Sequence, residues 1–371
     1  MNKLMSTVAL LALTTSGAIA GGIERTAPST GILFEDGEYA EFSFANISPT
    51  VSGARNPALG APASTGDITP SYNTWNFGYK RDLSDNLSLA LIVDQPYGAS
   101  VEYPIGTGYN FAGSTATLDT FQISTMLRYQ LQNNVSLIGG VRLQSMGGNI
   151  ALSSGYTLDV TDNWELGYAL GVAWEKPEIA MRVALTYYSA ITHSYLDAAG
   201  GPFGAADIFE VETPQSVNLE FQTGIAQDTL LFGSIRWADW SETQIAPDLG
   251  TPLSGALVSY DDDSISYSLG LGRRFNENWS GAVILGHESK AGGFSGNLGP
   301  TDGYNSIGVA ATWTDGRVKL TGGIRYIDIG DATTQAPAPL GSPVGTETGV
   351  ALGEFTDNHA VAVGFKMSVN F

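Results

Sequence analysis

The sequence predicts an all-β fold, a transmembrane antiparallel up-and-down β-barrel of about 14 strands. Three observations carry this. Apolar and polar residues alternate with period two over long stretches, short polar turns cut the chain at regular intervals, and the composition is poor in charge without being greasy. Only 15% of the 371 residues are charged and 43% are hydrophobic, yet mean hydropathy is +0.02. There is no run of about 20 apolar residues of the kind a membrane-spanning helix needs. The hydrophobic share is too high for a disordered chain. Zero Cys removes disulfide frameworks, thiol catalysis and thiolate metal sites. The formal net charge of −20 argues against nucleic acid and against a polybasic membrane-surface site.

Residues 1–20 read as a secretory signal peptide. Lys3 supplies the positive start, Val8 to Leu13 the apolar stretch, and Ala18-Ile19-Ala20 the small-residue cleavage site. The run is too short for a helical anchor, and Thr14-Thr15-Ser16 breaks it.

The strands follow. In Phe121 to Leu131 the odd positions are mainly apolar or aromatic and the even ones polar. Trp164, Leu166, Tyr168, Leu170, Val172 and Trp174 oppose Glu165, Gly167, Ala169, Gly171 and Ala173. Ile265, Tyr267, Leu269 and Leu271 oppose Ser264, Ser266, Ser268 and Gly270. Val361, Val363, Phe365, Met367, Val369 and Phe371 share one face of the closing segment. Such alternation is a strand with unlike faces. Tight turns fall at Ser84-Asp85-Asn86, Gln132-Asn133-Asn134, Lys176-Pro177-Glu178, Ala226-Gln227-Asp228, Asn276-Glu277-Asn278 and Asp315-Gly316-Arg317. Between them lie longer Gly/Pro/Asp-rich loops. Short turns on one side and long loops on the other are the outer-membrane barrel layout. A β-propeller shares the spacing, but its blades need four short strands where this chain offers two long ones. Trp75, Tyr79, Tyr129, Trp164, Trp174, Trp237, Trp240, Trp279, Trp313, Tyr326 and Phe371 fall near strand ends, as an interfacial aromatic girdle requires. The other face places Arg128, Arg142, Arg182, Glu220, Arg236, Lys319, Arg325 and Lys366 in the lumen, where charges must be paired or wet.

The stretches Thr213-Pro214-Gln215-Ser216-Val217 through Ile235-Arg236-Trp237-Ala238-Asp239-Trp240-Ser241, Asp261 through Asn276-Glu277-Asn278-Trp279, Asp302-Gly303-Tyr304 through Ile324-Arg325-Tyr326, and the closing strand to Phe371 together resemble the FadL/TodX family of outer-membrane transporters. That family carries long-chain fatty acids and other hydrophobic compounds. The resemblance implies a 14-stranded barrel plugged by a small N-terminal hatch, in the outer membrane of a Gram-negative bacterium. It also implies a monomer, with Phe371 read by the barrel assembly machinery and the outer surface meeting lipid and lipopolysaccharide. The hatch here is the shortened segment 21–36, with Gly21, Gly22, Ile23 and Phe34 as its candidate inward residues, and the barrel is 37–371. The family's Asn-Pro-Ala motif precedes its first strand. Here Asn56-Pro57-Ala58 follows the first strand (residues 37–52) and reads as a turn.

The resemblance implies lateral release through a kink in the third strand, about Leu87 to Val101. Asp94, Pro96 and Gly98 lie there. Pro96 cannot donate to a ladder and Gly98 has no side chain to pack, so these residues either kink the strand or end it at a loop. Ile92 and Ile138 are the expected contacts for an apolar tail, and Arg128, Arg142 or Arg182 for a carboxylate. No G-x-S-x-G, H-E-x-x-H or P-loop pattern occurs, and His287-Glu288-Ser289 and His193-Ser194 are strand neighbours that point to opposite faces. No catalysis, cofactor or resident metal is therefore expected. Asp261-Asp262-Asp263 is a solvated loop or a site for Ca²⁺ or lipopolysaccharide-bridging cations. A diffusion porin for small hydrophilic solutes and an adhesive barrel acting through its loops are the other readings.

Overall fold

The computed structural model describes residues 23–195, 199–200, 209–247, 256–336 and 349–371. The expected signal peptide, together with Gly21 and Gly22, lies outside them, as do parts of three long loops, including Pro337-Ala338-Pro339.

Fourteen antiparallel strands close into one barrel. They are β1 Tyr39–Thr50, β2 Tyr72–Ser84, β3 Leu87–Asp94, β4 Thr115–Gln130, β5 Val135–Ala151, β6 Thr157–Lys176 and β7 Met181–Tyr188. The second half is β8 Ser216–Ala226, β9 Thr229–Ala238, β10 Ser264–Arg274, β11 Trp279–Glu288, β12 Tyr304–Asp315, β13 Val318–Ile329 and β14 His359–Asn370. Each pairs with its sequence neighbour, and β14 closes on β1 from Tyr39↔Asn370 to Thr50↔His359. Closure removes the edges that an open sheet would expose. β1 is shorter than the expected 37–52, because Ser52–Arg55 leaves the wall and pairs instead with Ser64–Asp67 and Ala351–Phe355 in a small sheet over the mouth. Asn56 does make a turn, its Oδ1 accepting from Ala58 N at 3.0 Å.

All six tight turns lie at one end, with the β1 start and the β14 finish. Asn133 and Asn134 take positive φ in one of them, which Asn tolerates. The long loops crown the other end.

The two faces follow the alternation. On β6, Trp164, Leu166, Tyr168, Leu170, Val172 and Trp174 are exposed while Ala169 and Ala173 are buried. Exposed rings recur near both rims, with Tyr129, Trp174 and Trp279 at the turn end and Trp164, Tyr267 and Tyr326 at the loop end. Trp240 departs from the girdle reading. The short turn Trp240–Glu242 after β9 folds it inward, 2% exposed, against Tyr97 and Tyr260.

The lumen is occupied by the chain itself. Residues 23–38 thread it from the loop end to the turn end. The Asn218 amide donates to Pro28 O (2.6 Å) and Ser29 Oγ to Glu220 (2.5 Å). Thr30 donates to Glu220 from both its N and its Oγ1 (3.0 and 2.9 Å). Gly31–Phe34 forms one 3₁₀ turn. At the bottom Asn370 donates to Asp36 O and Phe371 N to Glu38 O.

A lateral window and an apolar cavity

The lower lumen gathers four of the residues singled out as ligand contacts. Ile92 and Ile138 pack with Leu33, Ala90, Met126 and Tyr188. The Arg128 and Arg182 guanidinium groups each sit 4.4 Å from the centroid of the Phe34 ring. Arg128 also pairs with Glu175 and donates to Ser136 Oγ (2.9 Å). Inward alternation brings these side chains to one place, and what they hold is the N-terminal thread. Each cation–π contact contributes about 0.5–2 kcal/mol, so Phe34→Ala should loosen the docking of residues 27–36 by about 1–4 kcal/mol. Hydrogen exchange should show these amides opening while the barrel ladders keep their protection.

Arg142 stands above this cluster, 2% exposed. It donates to Ser189 O (3.1 Å) and Gln122 Oε1 (2.9 Å) and lies over the Tyr188 ring.

The third strand is interrupted where Pro96 falls. β3 ends at Asp94 and resumes as Gly98–Glu102. Asp94 pairs with Gln122 and Gly98 with Asp119, so residues 95–97 oppose only two residues of β4. This one-residue bulge bends the strand and breaks its ladder. Tyr97 turns inward, and its N and O take Thr120 Oγ1 as partner in place of a backbone (2.8 and 2.7 Å). On the other side the β2–β3 ladder stops at Phe77↔Val93. Among the described residues, Asn73 to Asn76 of β2 thus have no ladder partner on that edge, and above them Glu102 N donates to Ile68 O (2.8 Å). The wall has a window between these two closures.

The thread covers the window from inside. Arg25 N and Thr26 N donate to Pro96 O (2.7 and 3.1 Å), and Gly98 N donates to Ile23 O (2.8 Å). Arg25 then passes outward. Its guanidinium, buried, pairs at 3.1 Å with Asp119, whose side chain is 71% exposed on the outer face. A Cβ on Gly98 would meet the Arg25 guanidinium, which would have to shift to make room. From outside, the Trp75 and Phe121 rings, on the strands flanking β3, approach to 6.0 Å across the gap. Trp164 continues the row.

Above the window, the crown encloses an apolar cavity of about 900 Å³ including its open mouth, lined among others by Leu118, Met146, Ile150, Leu158, Phe209 and Leu298. Ile23 and Ala99 are shared between it and the space at the window. Tyr260 lines both, and burial raises its phenol above the ordinary value, so it stays neutral. Of the candidate site residues that are among the described residues, Ile23 alone lines this cavity. Leu118, Ile150 and Leu158 continue the strand alternation past the membrane-length segment. Tyr260 and Leu298 are loop residues that no periodicity marks.

No family model and no curated protein matches the sequence. Among solved structures, a FadL homologue from Pseudomonas aeruginosa superposes with a TM-score of 0.77 at 12% identity, over 97% of this chain and 96% of that one. The toluene transporter TodX from P. putida gives 0.63 at 12% identity, over 91% of each chain. The toluene transporter TbuX from Ralstonia pickettii gives 0.60 at 10% identity, over 91% and 90%. At these identities the likeness is one of fold, and it extends over nearly the whole length of every chain compared: this protein has the barrel fold of the FadL homologue and the toluene transporters.

Proposed function

We propose that the chain is a passive transporter of hydrophobic compounds in the outer membrane of a Gram-negative bacterium, without catalytic activity. The observation that carries this is the apolar cavity enclosed within the barrel crown, adjoining an interruption in the barrel wall. Cargo enters from the loops, rests in the cavity and leaves sideways between β2 and β3. An apolar molecule gains from this route, because it passes from one apolar surface to another and never has to cross the polar lumen. Residues 21–36 act as the hatch. Opening requires residues 23–26 to leave Pro96 and Gly98, Arg25 to give up Asp119, and the Trp75 and Phe121 rings to part. Long-chain fatty acids and hydrocarbons both have the apolar body that such a route accepts. Phe371 serves the barrel assembly machinery, the outer belt meets lipid and lipopolysaccharide, and the protein acts as a monomer.

The occupied lumen predicts a small conductance. In planar bilayers the purified protein should show none of the large, ligand-independent steps of a porin. A strain lacking the chain should take up labelled oleate or toluene more slowly than the complemented strain. Porin-sized steps, or unchanged uptake of both compounds, would overturn the reading.

A further inference from the structure

Resting on that reading, we propose that the cargo is uncharged, a hydrocarbon or a neutral derivative of one, and that the cavity excludes carboxylates. Three observations point this way. Among the described residues, the cavity lining contains no Lys, Arg, His, Asp or Glu; its polar residues are Thr117, Asn149, Tyr195, Thr243, Ser259 and Tyr260. An ionised carboxylate brought there would lose its water and gain no cation.

The cations close below are already engaged. Arg25 holds Asp119 (3.1 Å). Arg236, 4% exposed, holds Glu24 (2.6 Å) and donates to Asn218 Oδ1 (2.7 Å). Arg142 is bound to Ser189 O and Gln122. To reach Arg25 or Arg236 a fatty acid headgroup would have to displace Asp119 or Glu24, and a displaced Glu24 would itself be left without its cation; Arg142, whose Nε has no hydrogen-bond partner among the described residues, does not line the cavity. After Lys3, every Lys and Arg of the sequence lies among the described residues, so the loop segments outside them add no Lys or Arg side chain to the crown.

The approach carries the opposite sign to the one a carboxylate needs. The space between the loops and the window is lined by Asp261, Asp262, Asp263 and Asp302, with Arg25 as its one Lys or Arg. Like charge at a narrow mouth lowers the local concentration of an anion, while a neutral molecule is unaffected.

Binding of matched ligands to the purified full-length protein at pH 8 tests this. Labelled dodecan-1-ol and dodecanoate have the same apolar length and differ at the head. The alcohol should bind about 100-fold more tightly. Thr243→Lys, at a lining position that is buried, should raise dodecanoate affinity while leaving the alcohol within a few-fold. Equal or tighter binding of dodecanoate by the wild-type protein would overturn the proposal, as would binding of neither ligand. Uptake by cells is a separate measurement. Selective binding of the alcohol without uptake would sustain the cavity's preference and defeat the transport reading.

Discussion

In a Glu24→Cys/Tyr97→Cys variant, oxidation should stop cargo uptake and reduction should restore it. These two residues face each other in an antiparallel bridge flanked by the bonds Arg25 N to Pro96 O and Gly98 N to Ile23 O. That is the non-hydrogen-bonded type of pair, in which side chains approach most closely, with Cα atoms about 4.5 Å apart. The spacing falls within the range a disulfide spans. The sequence has no Cys of its own, so no other thiol can compete. A covalent link there holds the thread against the interrupted strand and keeps the inside of the window covered. Oxidised and reduced protein carry the same substitutions, so loss of the Glu24 carboxylate and the Tyr97 ring is common to both and cancels. Uptake in the oxidised form should fall to the level of a strain without the chain. Continued uptake with the bond shown to be formed would mean that cargo leaves by a path that does not need residues 23–26 to move.

The second large effect is expected from Arg236→Met. Arg236 is buried on β9 and carries Glu24 and Asn218 as partners. Breaking a buried ion pair by removing one member costs about 3–5 kcal/mol, because the other charge is stranded. Here the stranded charge belongs to the thread, which has somewhere to go. The cheaper response is for residues 23–30 to undock into water, leaving the barrel ladders intact. Limited proteolysis should therefore cut within that segment in Arg236→Met and not in wild type, with the barrel itself resistant. Adding Glu24→Gln removes the uncompensated charge and should restore most of the protection. Equal resistance of Arg236→Met and wild type would show that this pair does not hold the thread.

The barrel was legible in the sequence because its cause is local. A strand between lipid and lumen must alternate, and Trp164 to Trp174 or Val361 to Phe371 display the alternation without help from any distant residue. The interruption of β3 was legible for the same reason, since Pro96 and Gly98 weaken a ladder wherever they fall. What Arg25 does there was not. Its place depends on a thread crossing the lumen to meet Asp119, beside a Gly98 that leaves its guanidinium room. Arg128 and Arg182 were rightly set on the inner face, but the sequence could not say that Phe34 would lie between them. Trp240 was misread because a tryptophan at a strand end looks the same whether the following turn leans out toward lipid or folds in over the mouth. The apolar cavity was hidden more deeply still, as its lining mixes strand extensions such as Leu118 with loop residues such as Leu298.

The seam between β1 and β14 joins the first strand of the barrel to the last, and the thread is tethered directly to the first. Residues 24 and 236, or 30 and 220, meet across roughly 200 positions of sequence, contacts of the slow, loop-closing kind. Assembly with the thread already in place avoids pushing Glu24 and Arg25 end-on through a closed tube. It also gives Glu220 and Arg236 their partners before the surroundings turn dry. On the proposed route, the segment that covers the window would thus also be the mould around which the cylinder is cast.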